Sequence, residues 1–273
     1  MMVSLSLESA MRGVQLLLGW SVLIQSVEYL RMQSALQAFG EQGVWRWSLQ
    51  EREMPTRAPW FLSTVGWLFA PVQLKALFLL RALGALCLMA GGAGVVLMGF
   101  LFVSTVLLLF RFRGAFNGGS DFMTLVVVSG LFLSDAFAPW VGSESAHHAA
   151  LWYIALHALS SYFVSGWVKL KRAEWRSGEA LVIFLDAGIY GPLGRSSIFR
   201  HPRVARLCSW SFILWEALSP ALLIGPVAAL FFCGVATVFH FLVFWYFGLN
   251  RFFWAWMVTF PALVYCSGWA ASF

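Results

Sequence analysis

Charge is scarce in this chain: 11% of its 273 residues are Asp, Glu, Lys or Arg, under half of the roughly 25% of an ordinary soluble domain. Hydrophobic residues make up 60%. A water-soluble globular fold is thereby excluded, and an integral membrane protein is expected. Long polar linkers and low-complexity tracts are also missing, and no loop has the length to hide a second core. One transmembrane domain over residues 1–273 is therefore expected. The four cysteines, Cys87, Cys208, Cys233 and Cys266, form no CxxC and show no metal-ligand spacing. They read as small buried hydrophobes, and no metal site is expected. Eighteen Lys and Arg against 12 Asp and Glu would suggest nucleic acid as a partner for a soluble protein, but beside apolar runs such cations mark the cytoplasmic ends of helices. The expected surroundings are a lipid bilayer, and no nucleic-acid partner is implied.

What is present is a succession of apolar runs. A helix needs about 20 mostly apolar residues to cross the hydrocarbon core, because every backbone amide must be bonded internally there. Stretches at about 13–31, 74–92, 94–111, 121–138, 149–169, 205–224, 226–248 and 252–271 meet that requirement, which predicts an all-α, polytopic bundle of about eight transmembrane helices. Two shorter segments, 58–72 and 179–191, hold about 13 apolar residues each and read as interfacial or re-entrant helices. The tryptophans Trp60, Trp67 and Trp175 suit that depth. The run from Gly13 to Leu30 has no small-residue cleavage site before polar chain follows, so a retained first helix is expected rather than a removable signal.

Orientation follows from the cations. With the N-terminus outside, Arg31, Arg46, Arg52, Arg57 and Lys75 fall in the first inside loop, Arg111 and Arg113 in the second, the basic run from Lys169 to Arg206 in the third, and Arg251 in the fourth. Only Arg12 is left outside, with Arg81 inside a span. Both termini are accordingly expected outside.

With the bilayer as solvent, polar groups inside the spans carry the information, since a charge at mid-membrane costs roughly 2.5–3.5 kcal/mol on insertion scales. Glu28 and Arg31 lie one turn apart and read as a pair, and Arg81 reads as a partner for Glu28 or Glu216 across the bundle. Glu216 precedes Ser219 and Pro220 and sits either beside a pocket or beside a plain kink. His157, Ser161, Ser165 and Lys169 recur every four residues, along one slowly drifting helical stripe. That stripe is either a packing seam ending in a lysine that snorkels to the interface or the wall of a ligand pocket. His240 stands among aromatics in "TVFHFLVFWYFGLN", as core filler or as part of a wall for a flat ring. In the glycine-rich stretch 111–123, Asn117, Gly118, Gly119 and Ser120 suit a turn capping a helix that opens at Asp121; that carboxylate either serves the helix dipole or touches substrate.

The order of four pieces, "RALGALCLMAGG", "RGAFNGGSDFM", "SYFVSGWVKLKRAEWRSGEAL" and "FHFLVFWYFGLNRFFWAW", resembles the horizontally transferred transmembrane domain family, which includes the vitamin K-dependent gamma-glutamyl carboxylases. The resemblance covers about residues 13–270 and is most specific at Tyr162, Phe163, Gly166, Lys169, Leu170, Trp175 and Gly178. It implies a catalytic role for Lys169, as the base that deprotonates a quinol, and for His240, which matches a histidine of the carboxylase membrane region. The carboxylase Asn-His pair is replaced here by Gly119, Ser120 and Asp121, and its paired lysines by Val168 and Lys169. With the chain ending at Phe273, no lumenal portion that presents glutamate is expected either, so glutamate carboxylation is not implied.

The resulting expectation is a bacterial inner-membrane protein whose bundle binds a lipophilic molecule, quinone-like or lipid, with a quinone as the cofactor the resemblance suggests. Lys169 and His240 are the expected catalytic pair, and His157, Ser161, Ser165, Asp121, Glu216 and Trp175 the expected ligand-binding residues. The alternative is a membrane protein partner without catalysis, an assembly or peptide-maturation subunit packing on other helices. Transport is disfavoured by the lack of paired broken helices or an internal repeat.

Overall fold

In the computed structural model, which describes residues 5–38, 47–53, 58–112 and 118–272, the chain is helical throughout, with no strand among the described residues. Proline punctuates it. Six of the nine prolines open helical elements, at Pro59, Pro71, Pro202, Pro220, Pro226 and Pro261, where the missing amide proton costs nothing.

The elements are α1 (Leu7–Ala38), α2 (Trp47–Gln50), α3 (Pro59–Leu68), α4 (Pro71–Met89), α5 (Val95–Phe112), α6 (Gly118–Val141), α7 (Ser143–Lys171), α8 (Ala173–Ser177), α9 (Glu179–Asp186), α10 (Pro202–Ala217), α11 (Pro226–Phe247), α12 (Asn250–Met257) and α13 (Phe260–Ala270). Single 3-10 turns occupy Glu51–Glu53, Ile198–Arg200 and Ser219–Ile224.

Four helices, α4, α5, α6 and α11, are long and apolar enough to cross a membrane. The 19 residues of α4 rise about 28 Å and the 22 of α11 about 33 Å, against a hydrocarbon core of about 30 Å. Their outward faces are covered by large apolar side chains, Leu79, Leu83, Val96, Val103, Phe231 and Val238 among them, as a lipid-facing surface requires. The expected spans at 13–31 and 149–169 lie inside the longer α1 and α7. Those at 205–224 and 252–271 are each broken in two, the first into α10 and the turn Ser219–Ile224, the second into α12 and α13. Of the two short segments, 58–72 contributes the ten-residue α3 and 179–191 the eight-residue α9, rising about 15 and 12 Å. Neither reaches across.

The core sits around α1 and α7. α1 packs along α4 and against α12 and α13, while α7 lies between α6, α10 and α13. Alanines at 150, 155 and 158 on α7 are buried and let the neighbouring backbones approach, the usual basis of helix association in lipid. A second, smaller cluster gathers Tyr29, Phe78 and Phe112 as a stack, with ring centroids 5.1 and 4.7 Å from Tyr29.

Candidate functional site

Two polar clusters are built inside the apolar bundle. The first begins with Gly166 on α7. A Cβ there would lie 2.3 Å from the Ala217 nitrogen, so the missing side chain is what lets α10 press against α7. The approach sets the Glu216 carboxylate beside the next turn of α7, where the Lys169 ammonium meets it in an ion pair and also donates to Ser165 Oγ at 2.8 Å. Trp175, on the short α8, closes the pair from below with its ring centroid 5.3 Å from Lys169 Nζ. Lys169 keeps 16% side-chain exposure and Glu216 4%. The lysine at the end of this helix is thus turned inward onto a carboxylate.

One turn earlier on α7, the buried Tyr162 shares a 2.7 Å hydrogen bond with His240 Nε2 on α11. Aromatic rings enclose the couple. Trp215, Phe232 and Trp256 lie 5.3, 5.1 and 4.7 Å from Tyr162, and His240 stacks on Trp256 at 5.1 Å and 11°. Inside this cage His240 Nδ1, Trp215 Nε1 and Trp256 Nε1 are buried without a hydrogen-bond partner among the described residues. Each such atom costs about 1–3 kcal/mol, and three of them surround one tyrosine. The cage lies next to an apolar groove of about 460 Å³ on the outer faces of α10 and α11, lined by Phe212, Phe231, Gly234, Val235, Val238, Phe239 and Leu242. Phe239 stands between groove and cage, 5.3 Å from Trp215 and 5.1 Å from His240.

The second cluster takes in Asp121. Asp121 is in the first turn of α6, accepts from Gln25 Nε2 at 3.1 Å and lies 3.9 Å from Arg251 Nη1. Arg81, fully buried, donates to Gln25 Oε1 at 2.8 Å, Ser104 Oγ at 2.6 Å and Thr105 Oγ1 at 3.0 Å. Glu28 binds Arg251 Nε at 3.1 Å and accepts from Asn250 Nδ2 at 2.7 Å. Glu28 is therefore paired with Arg251 rather than with Arg31, and Arg81 is answered by an amide and two hydroxyls rather than by Glu28 or Glu216. These bonds tie α1, α4, α5, α6 and α12 together, which makes the cluster a lock for the bundle. Of the expected capping turn, Asn117 lies outside the described residues.

Among the residues singled out in the sequence, Lys169, Ser165, Glu216 and Trp175 are brought together, with His240 beside them through Tyr162. Asp121 belongs to the other cluster. His157 and Ser161 are exposed on the outer face of α7, His157 bonding the Tyr153 carbonyl at 2.9 Å. Four residues turn a helix by about 400°, so each step of the stripe drifts about 40°, and from His157 to Lys169 the drift is about 120°. That rotation takes the start of the stripe out of the site. Tyr162, Trp215 and Trp256 are the residues the sequence analysis gave no role in the site. Tyr162 stood out only within the motif of the resemblance, and Trp215 and Trp256 only as aromatics among many.

No group of His, Cys, Asp and Glu capable of holding a metal ion occurs among the described residues. No family model, curated protein or solved structure matches the chain. Fold and site define an all-helical protein with several apolar helices suited to a bilayer and a polar cluster set in its interior.

Proposed function

We propose that this protein is an integral membrane protein of the horizontally transferred transmembrane domain type that binds a lipophilic, quinone-like molecule against the Tyr162–His240 couple. The observation that carries the reading is the set of three partnerless ring nitrogens in the cage, at His240, Trp215 and Trp256, directly behind a groove open to lipid. A flat ring with an oxygen at its edge supplies both needs: it stacks on the aromatics and hydrogen-bonds the nitrogens, while its tail lies along Val238 and Leu242. Phe239 is the side chain that has to swing for the ring to enter. The Lys169–Glu216 pair joins α7 to α10, the helix that carries Trp215, and in this reading it is the proton-transfer group. The lack of an Asn-His pair near Asp121 argues against glutamate carboxylation.

In this reading the chain crosses a bacterial inner membrane about eight times, with α1, α7, α10 plus its following turn, and α12 plus α13 adding to the four apolar helices. Both termini lie outside. A second reading, a membrane partner without catalysis, is favoured by one observation: a groove of about 710 Å³ along α4 and α5, lined by Gly84, Gly92, Gly94 and exposed Val96, where another helix can approach closely.

Native mass spectrometry with lipid extraction separates the two. A quinone that co-purifies with the wild type and is lost from His240→Leu supports the first reading. No quinone in either, with a protein partner retained by both and lost from Gly92→Leu, establishes the second.

A further inference from the structure

The chain from Lys171 to Arg206 forms an apron at one end of the bundle, beneath the ends of α7 and α11. α8 packs on the first turns of α10, with Ser209 Oγ bonded to the Trp175 carbonyl and Trp210 Nε1 to the Arg176 carbonyl at 3.1 Å. Gly178, at φ 90°, lies so close to α10 that a Cβ would meet the Ala205 carbonyl carbon at 2.5 Å. The following segment is pinned to α11, where Tyr246 donates to the Leu185 carbonyl at 2.9 Å and the Ile189 amide to the Tyr246 carbonyl at 3.1 Å. The apron is therefore fixed to the membrane-spanning helices.

Its charge is one-sided. Arg200 is joined to Asp186 at 2.8 Å. Lys171, Arg172, Arg176, Arg195, Arg203 and Arg206 are exposed, and no salt bridge joins any of them to a carboxylate among the described residues. Glu174 and Glu179 are the remaining acids of the segment. Large apolar side chains fill the stretch between the two groups of cations: Ile183, Phe184, Ile189, Tyr190 and Ile198 are each more than half exposed. A surface built for nucleic acid or an acidic peptide has no use for five such side chains in water. A bilayer interface takes both, with the apolar groups dipping among acyl chains and the cations meeting phosphates.

We propose that this apron is a docking surface for anionic phospholipid headgroups, which set how deep the bundle sits in the leaflet it faces. Arg172 and Arg176, before and on α8, and Arg203 and Arg206 on α10 flank the same packed seam and form its centre. None of these four arginines belongs to the ring-binding cage, which is built by α7, α10, α11 and α12.

The test is thermal unfolding of the full chain in a neutral detergent with added phosphatidylglycerol, phosphatidylcholine or inorganic phosphate. Phosphatidylglycerol is expected to raise the unfolding temperature by several degrees, phosphatidylcholine and phosphate are not, and 0.5 M salt should remove most of the shift through screening. Replacing Arg172, Arg176, Arg203 and Arg206 by Gln should abolish at least half of it, whereas Lys at the same positions should keep it. Equal shifts from both lipids, a shift reproduced by phosphate alone, or a full shift retained in the Gln variant would overturn the proposal. Should the Gln variant not fold, the salt dependence and the Lys variant decide in the same way.

Discussion

Gly166 and Ala217 meet backbone to backbone, with only 2.3 Å between an added Cβ on the glycine and the alanine nitrogen. That contact places a carboxylate from one helix beside an ammonium from another within an apolar bundle. Gly166→Ala is accordingly expected to push α10 off α7 and to cost about 1–3 kcal/mol, as overpacking does. Thermal unfolding in detergent reads the loss, and an unchanged midpoint would show that the two helices are not so tightly joined.

The ion pair itself is open to a double-mutant cycle. Removing one partner leaves the other charge uncompensated, so Lys169→Met and Glu216→Gln should each destabilise by about 3 kcal/mol, toward the low end for a broken buried pair because Lys169 keeps some exposure. The double variant should lose clearly less than the sum. A lysine that merely snorkelled would give single effects within about 0.5 kcal/mol and no coupling.

In the second cluster, Arg81→Leu removes the donor shared by Gln25, Ser104 and Thr105. Three helices, α1, α4 and α5, lose a common tie, and the buried amide and hydroxyls left without their donor are expected to cost about 1–3 kcal/mol, enough to reduce the yield of folded protein in membranes. Size-exclusion chromatography and unfolding midpoints measure it. The Lys169→Met variant should add to this loss without coupling, since the clusters share no partner.

His157→Ala and Ser161→Ala should leave both stability and ligand retention unchanged, within about 0.5 kcal/mol, although they lie two and one steps before Ser165 on the four-residue stripe. A strong effect of His157 on a bound quinone, read by native mass spectrometry, would place it in the site after all.

Much of the fold is legible in the residues. Prolines mark where helices open, and runs of apolar residues mark the four helices fit to cross a membrane. The four-residue stripe leaves Lys169 open between a lysine that snorkels and one in a pocket wall, and Glu216 reads as a partner for Arg81, so the pairing of Lys169 with Glu216 is not legible in either helix. What the sequence could not convey is which polar groups meet across helices. Arg251 reads as one more interfacial cation, yet it is buried beside Glu28, 223 positions away, as the partner of its carboxylate. Tyr162 and His240 are 78 residues apart, and no periodicity within either helix announces the other. The stripe from His157 to Lys169 looked continuous because four residues only slightly overshoot a turn, and the residual rotation accumulates unseen in a linear pattern.

The most direct measurement of the central claim is a tryptophan fluorescence titration of the detergent-solubilised wild type with a short-chain quinone, beside Tyr162→Phe and His240→Leu. Saturable quenching in the wild type, weakened at least tenfold in His240→Leu and to a smaller degree in Tyr162→Phe, is expected if the ring seats between Trp215 and Trp256. Linear, non-saturating quenching that is the same in all three proteins would mean that the quinone only partitions into the micelle, and would contradict a binding site at this couple.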